Sequence, residues 1–349
     1  MAGGSRDGGL KISSREDLQK WLDSLPPEQE RWTAVAMAAR TALRVVPLVA
    51  TDSWDEHRFR FGNFTFAVFF ATALARVAAV YPTRAKELRG ADATNAKATV
   101  YVEATAYTNA NAHTNAAKAH TSAAIAVANA AGNAADATAY AAADATTANV
   151  YAANAALAGA DATLYATKAA IAAAIATDAL WSAVSHDADF TASDGAADAL
   201  ASLPLWPDGE PDWSTQSWKR LQKTLPREDD WQVWIDWYNR RLEGVSDPEE
   251  IELVFATVPD KEREAGPAAA NKWIKERLGE LQKRDSPPPH IPRQGPGPHV
   301  EIDTETGAVV PAKPESLDAE GNNLARLTAQ HPQIVRLAGE LLANLGQNE

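Results

Sequence analysis

The sequence predicts a mainly α-helical protein. Its expected form is a multi-helix fold with long alanine-rich antiparallel helices, hairpin or coiled-coil-like, plus a small β-hairpin-helix module at the C-terminus. Three observations carry this reading. Alanine, the strongest helix former, supplies 41 of the 90 residues in 91–180, and no proline interrupts them. Apolar residues elsewhere recur at helical spacing, and no strand alternation is sustained before residue 299. Prolines and glycines stand at the ends of the periodic segments, where helices start and stop.

Residues 1–12 are glycine-rich and read as a disordered tail. An N-terminal helical unit is expected at 13–90. Ser14 precedes Asp17 by three residues, the spacing of a capping box, and opens a short helix with Leu18, Trp21 and Leu22 on one face. Pro26-Pro27 ends it, and a longer helix spans 28–46 before Pro47. After a polar loop at 52–57 comes the most apolar window, FTFAVFFATALARVAAVY at 64–81, stopped by Pro82. Its length just reaches a bilayer span, but Arg76 inside it costs about 2.5–3.5 kcal/mol there. A buried helix of a soluble protein is the expectation, with no membrane partner.

The alanine-rich region covers 91–185. Val150, Leu157, Leu164 and Ile171 fall seven apart, and Ala153, Ala160, Thr167 and Ala174 each follow three residues later. This is a heptad seam of alternating large and small residues. Small seam residues let helix axes approach closely, so tightly packed hairpins or a coiled-coil stalk are expected, with self-association into a homo-oligomer. Gly132-Asn133 and Gly159-Ala160-Asp161 are the candidate turns, the latter with Asp161 as N-cap. The heptad runs through Gly159, so the pattern leaves open whether that glycine breaks a helix.

A Trp-rich helical unit follows at 186–284. LWPDGEPDW (205–213) is a turn-rich connector whose Trp206 and Trp213 must cover something apolar. Helices are expected at 214–224, 230–243, 248–257 and 267–283. The segment 285–298, DSPPPHIPRQGPGP, holds six prolines and two glycines and reads as a stiff, extended linker. A hairpin at 299–310 and a helix at 332–345 complete the module 299–349.

The stretch DDWQVWIDWYNRR (229–241) concentrates three tryptophans, a tyrosine, acids and arginines. At about 100° per residue, Trp231, Trp234, Ile235, Tyr238 and Leu242 share one arc of about 100°, the core face of a helix. Asp236 and Arg240 stand opposite at i,i+4 spacing, where they can pair. Asp229 and Asp230 suit the helix N-terminus. Trp237 lies at the margin of the stripe, and Arg241, one turn away, can sit over its ring. With Trp206 and Trp213, Trp237 and Arg241 are the candidate partner contacts, because Trp and Arg dominate interface hot spots.

Composition narrows the function. A net charge of -13 and a pI near 5.1 argue against a nucleic-acid binder, which needs a basic face. Cysteine is absent, so thiolate chemistry and disulfides are too, which fits a cytoplasmic location. No phosphate-loop, dinucleotide, zinc-protease or nucleophile-elbow motif occurs. His113 and His120 are two turns apart, too far for one metal ion alone. His186-Asp187-Ala188-Asp189 offers three possible metal ligands, but with no second cluster it reads as a solvated acidic loop. No metal, cofactor or catalytic residue is assigned.

LWPDGEPDW (205–213), DDWQVWIDWYNRRLEG (229–244), QGPGPHVEID (294–303) and EGNNLARLTAQHP (320–332) resemble a recurring set in an uncharacterised bacterial protein family. Its members have an N-terminal segment similar to SREDLQKWL (14–22) and an alanine-rich middle. The resemblance implies no activity and no catalytic residues. Some similar proteins continue past this C-terminus, which implies a short member or a sensing or scaffolding portion that others fuse to further domains.

The expected function is a non-enzymatic scaffold or protein-interaction protein that binds a protein partner or itself through the alanine-rich helices. The alternative is a small-molecule sensor or enzyme with a pocket near the Trp-rich unit. A remote alternative is ice binding by Ala/Thr helices, although the threonines keep no fixed period.

Overall fold

The computed structural model describes residues 10–50, 58–84, 115–141, 145–166, 170–193 and 197–285, with isolated positions between 88 and 104 and two short segments, 300–302 and 309–311. The chain divides into two compact units, 1–285 and 286–349. The protein is mainly helical.

The first unit runs α1 (Arg15–Leu22), α2 (Pro27–Val45), α3 (Arg58–Val80), α4 (Asn115–Tyr140), α5 (Ala145–Ala166), α6 (Ala170–Ala192), α7 (Asp212–Thr224), α8 (Gln232–Leu242), α9 (Glu249–Ala256), α10 (Asp260–Glu264) and α11 (Pro267–Asp285). Local chemistry sets several boundaries. The Ser14 hydroxyl accepts from the Asp17 N–H at 3.1 Å, while Asp17 accepts in return from the Ser13 N–H at 3.1 Å. The reciprocal bond of the box thus comes from Ser13, one residue before the cap. Those hydrogen bonds, led by the one from Ser13, hold the Asp17 carboxyl below its usual range. Pro27 starts α2 at the position where its missing N–H costs nothing. Pro47 then turns the chain into a 3₁₀ segment, Val46–Val49.

One hydrophobic cluster extends from Ile12 to Leu281 and draws on α1 to α9 and α11. The composition changes near 90 and 185 do not interrupt it. Helix α3 lies at its centre, with Phe61, Phe64 and Phe69 fully buried. The Phe69 ring meets five aromatic rings, those of Trp218, Trp231, Trp234, Trp237 and Tyr238, at centroid distances from 5.2 to 6.5 Å. Burying such a side chain is worth about 1.5–3 kcal/mol before these edge and stacking contacts are added. The segments 29–49 and 61–80 are long and apolar enough to cross a membrane, but 94% and 89% of their apolar windows are buried inside this fold.

Two expectations about the alanine-rich region are corrected. Gly132 and Gly159 break no helix, since α4 runs through the first and α5 through the second, with Asp161 inside α5 and not at its start. Gly159 instead permits a close approach: a Cβ there would stand 2.9 Å from Cγ2 of Thr41 and 3.2 Å from Cδ2 of Leu180. The heptad seam does not run along one helix, because α5 ends at Ala166 and α6 begins at Ala170. Ala153 and Ala160 are buried, Val150 is half-buried, and Leu157 is 41% exposed. At 3.6 residues per turn the alanine face closes on α2, α4 and α6, which leaves the bulkier leucine outward. The side chains of Leu164, Thr167, Ile171 and Ala174 lie outside the described residues.

In the second unit, Val300–Ile302 pairs antiparallel with Val309–Pro311, with Glu301 opposite Val310. The helix expected at 332–345 and the loop at 52–57 lie outside the described residues.

Candidate functional site

The Trp-rich stretch folds as interior. Helix α8 turns Trp234, Trp237 and Tyr238 inward at 0% exposure and Trp231 at 2%. Three of these side chains find polar partners there. Trp234 Nε1 donates to Asn271 Oδ1 at 2.8 Å, Trp237 Nε1 to Glu252 Oε2 at 3.4 Å, and the Tyr238 hydroxyl to the Leu43 carbonyl at 3.2 Å. Burial pushes the Tyr238 phenol well above its usual range.

Arg241 lies 5.1 Å over the Trp237 ring, as the spacing predicts. Its Nη1 donates to the Val245 carbonyl at 2.5 Å, and Nη2 reaches Asp247 Oδ2 at 2.5 Å and Glu252 Oε1 at 3.1 Å. Glu252 also receives Arg76 Nε at 3.1 Å. The expected Asp236–Arg240 pairing is not formed. Asp236 accepts from Gln232 at 2.7 Å, and Arg240 reaches Asp247 at 2.9 Å. Neither Asp229 nor Asp230 caps α8, which has no side-chain cap bond. Asp230 takes a left-handed conformation (φ 53°) and pairs with Lys275 at 2.6 Å.

A second buried charge cluster joins α2, α6 and the connector before α7. Asp187 is not on a solvated loop: it belongs to α6, is 0% exposed, and its Oδ2 receives Arg40 Nε at 2.9 Å and Arg44 Nη2 at 2.7 Å. Arg40 also donates to the carbonyls of Leu200, Leu203 and Pro204 at 2.6, 3.0 and 2.7 Å. Arg44 Nε donates to the Leu205 carbonyl at 2.8 Å. Burial lowers Arg44 to about 10, against the opposing pull of Asp187. No periodicity signals this cluster, because its members lie up to 164 residues apart. Arginines on otherwise apolar helices are its one local mark.

Trp206 and Trp213 meet edge to face at 5.5 Å, and Arg44 lies 5.8 Å over Trp206. The WPDG turn closes with the Gly209 N–H donating to the Trp206 carbonyl at 3.2 Å. Of the four candidate contact residues, Trp206 (5%), Trp237 (0%) and Arg241 (1%) are buried, and Trp213 is half-buried. The structure brings them together in two pairs, Trp206 with Trp213 and Trp237 with Arg241. Among the described residues no three acids or histidines converge as a metal site.

Comparison of the chain with known protein families, curated proteins and solved structures finds no match, in keeping with its resemblance to an uncharacterised family.

Proposed function

We propose that the protein is a non-enzymatic helical scaffold that associates with itself, or with a protein partner, through its alanine-rich helices arranged as antiparallel hairpins. One observation carries this reading. Among the described residues six large apolar side chains are exposed, and five of them, Tyr101, Ile125, Tyr140, Leu157 and Ile175, belong to 91–180. The same 90 residues contain only nine charged side chains, so little repels a second apolar face. Pairing of Thr163 with Thr177 at 3.0 Å and approach of Gly159 to Leu180 support α5 folding back along α6.

The test is hydrodynamic. Light scattering at about tens of micromolar is expected to find an oligomer, as a micromolar affinity requires. Leu157→Asp with Ile175→Asp is expected to release monomers with unchanged helicity. A wild-type chain that stays monomeric ends the self-association reading.

A ligand pocket beside Trp206 and Trp213 is the second reading. Four buried polar atoms favour it: the indole nitrogens of Trp206 and Trp213, Arg44 Nη1 and Asp187 Oδ1 have no hydrogen-bond partner among the described residues. Native mass spectrometry of the purified protein separates the two readings, since a stoichiometric small molecule supports the pocket and a stoichiometric protein the scaffold.

A further inference from the structure

Helices α9 and α11 bound a groove of about 590 Å³. Leu253 lines one wall and Trp273 and Leu281 the other, with Glu250, Glu276 and Glu280 along the rims. Trp273 and Leu253 are half-buried and leave part of their apolar surface open to the groove. Arg284 pairs with Glu250 from one wall to the other. Arg277 holds Glu280 at 2.7 Å, whereas among the described residues Glu276 has only the exposed Lys272 at 4.0 Å. An indole flanked by leucines and carboxylates suits one kind of guest: a polyproline II strand that lays proline rings on the indole and offers a cation to the acids.

The chain carries a segment of that composition. Residues 286–298 hold six prolines and Arg293, with no acid. In polyproline II geometry, Pro289 to Arg293 spans about 12 Å. Along an α-helix, Trp273 to Glu280 spans about 10 Å, so a proline over Trp273 places the arginine near Glu280. In that register the same copy's segment falls short: the four steps from Asp285 to Pro289 reach at most about 14 Å, against about 18 Å of helix back to Trp273.

We propose that the groove between α9 and α11 receives the proline-rich segment 287–293 of a second copy of the chain, with Trp273 as the stacking platform and Glu276 and Glu280 as partners of Arg293. The proposal rests on the self-association reading and gives it a specific contact.

The test uses the full-length chain carrying Pro288→Ala, Pro289→Ala, Pro292→Ala and Arg293→Ala, so that no resident segment competes. A labelled peptide of residues 285–294 is titrated by fluorescence anisotropy. Saturable binding below about 1 mM is expected, weakened at least about tenfold by Trp273→Ala, as at an interface hot spot. Glu276→Lys with Glu280→Lys changes only exposed positions and is expected to weaken it similarly while the melting curve stays in place. Absence of binding overturns the groove assignment, and so does binding that all three substitutions leave intact. Assembly of the wild-type chain without peptide binding overturns the groove alone. Peptide binding to a wild-type chain that stays monomeric overturns both the second-copy occupant and the self-association reading.

Discussion

Asp187 and Arg44 form a contact of 2.7 Å in which neither side chain is more than 1% exposed. Arg40 shares the same carboxylate oxygen at 2.9 Å. Two guanidinium groups thus depend on one buried negative charge. Asp187→Asn keeps the shape and removes the charge, and it is expected to destabilise the fold by about 3–5 kcal/mol, the usual cost of breaking a buried pair from one side. Urea denaturation measures it. A loss under about 1 kcal/mol would show that the cluster is solvated.

The Tyr238 phenol supplies a pH dependence whose sign follows from its burial. Its folded pKa is raised by desolvation, whereas in the unfolded chain it is near 10. Between these values the native state keeps a proton that the unfolded state releases, so stability falls as pH rises above about 10. Arg44 acts in the opposite sense, because its value falls to about 10. Tyr238→Phe isolates the tyrosine: its urea midpoint is expected to decline less between about pH 9 and pH 11 than that of the wild type. Equal declines would refute the assignment.

Two helical glycines are expected to respond oppositely to alanine. Gly159→Ala places a methyl 2.9 Å from Thr41 Cγ2, and overpacking of this kind costs about 1–3 kcal/mol despite the better helix propensity. At Gly279 in α11 a methyl would meet nothing within 4 Å among the described residues, so Gly279→Ala is expected to stabilise by up to about 1 kcal/mol. Thermal melts of the two variants that shift the same way would contradict this account.

Trp237 is enclosed by Phe69, Trp234, Phe255 and the Arg241 guanidinium. Trp237→Ala is expected to cost about 3–5 kcal/mol, and the half-buried Trp213→Ala markedly less. Equal midpoints in denaturant for the two variants would place Trp237 outside the core.

The starts of α1, α2, α9 and α11 are legible in the sequence because Ser14, Pro27, Pro248 and Pro267 act on the backbone within a turn of themselves, whereas α7 begins at Asp212, two residues before the expected 214. The inward face of α8 is legible because helical phase alone brings Trp231, Trp234 and Tyr238 to one side. The alanine region misleads for a physical reason. In a helix where nearly every residue is small, Leu157 is conspicuous in sequence, but it is the small half of the seam, Ala153 and Ala160, with Gly159, that packs closely. The arginines of the buried clusters stand out on apolar helices, but their partners are not legible because they join only when distant helices pack. Asp187 in particular looks like one of many surface acids until Arg40 and Arg44 of α2 reach it.

The fastening of the connector has a mechanical consequence. Three backbone carbonyls at Leu200, Leu203 and Pro204 end on the single guanidinium of Arg40, and the next, at Leu205, ends on Arg44. These arginines belong to α2, a helix that packs directly against the alanine-rich α4, α5 and α6. The connector and the alanine-rich helices are thus fastened to one and the same helix. Tryptophan fluorescence, dominated by the 206–273 region, and far-ultraviolet circular dichroism, which follows all the helices, are therefore expected to give coincident unfolding midpoints, and separated midpoints would contradict this coupling.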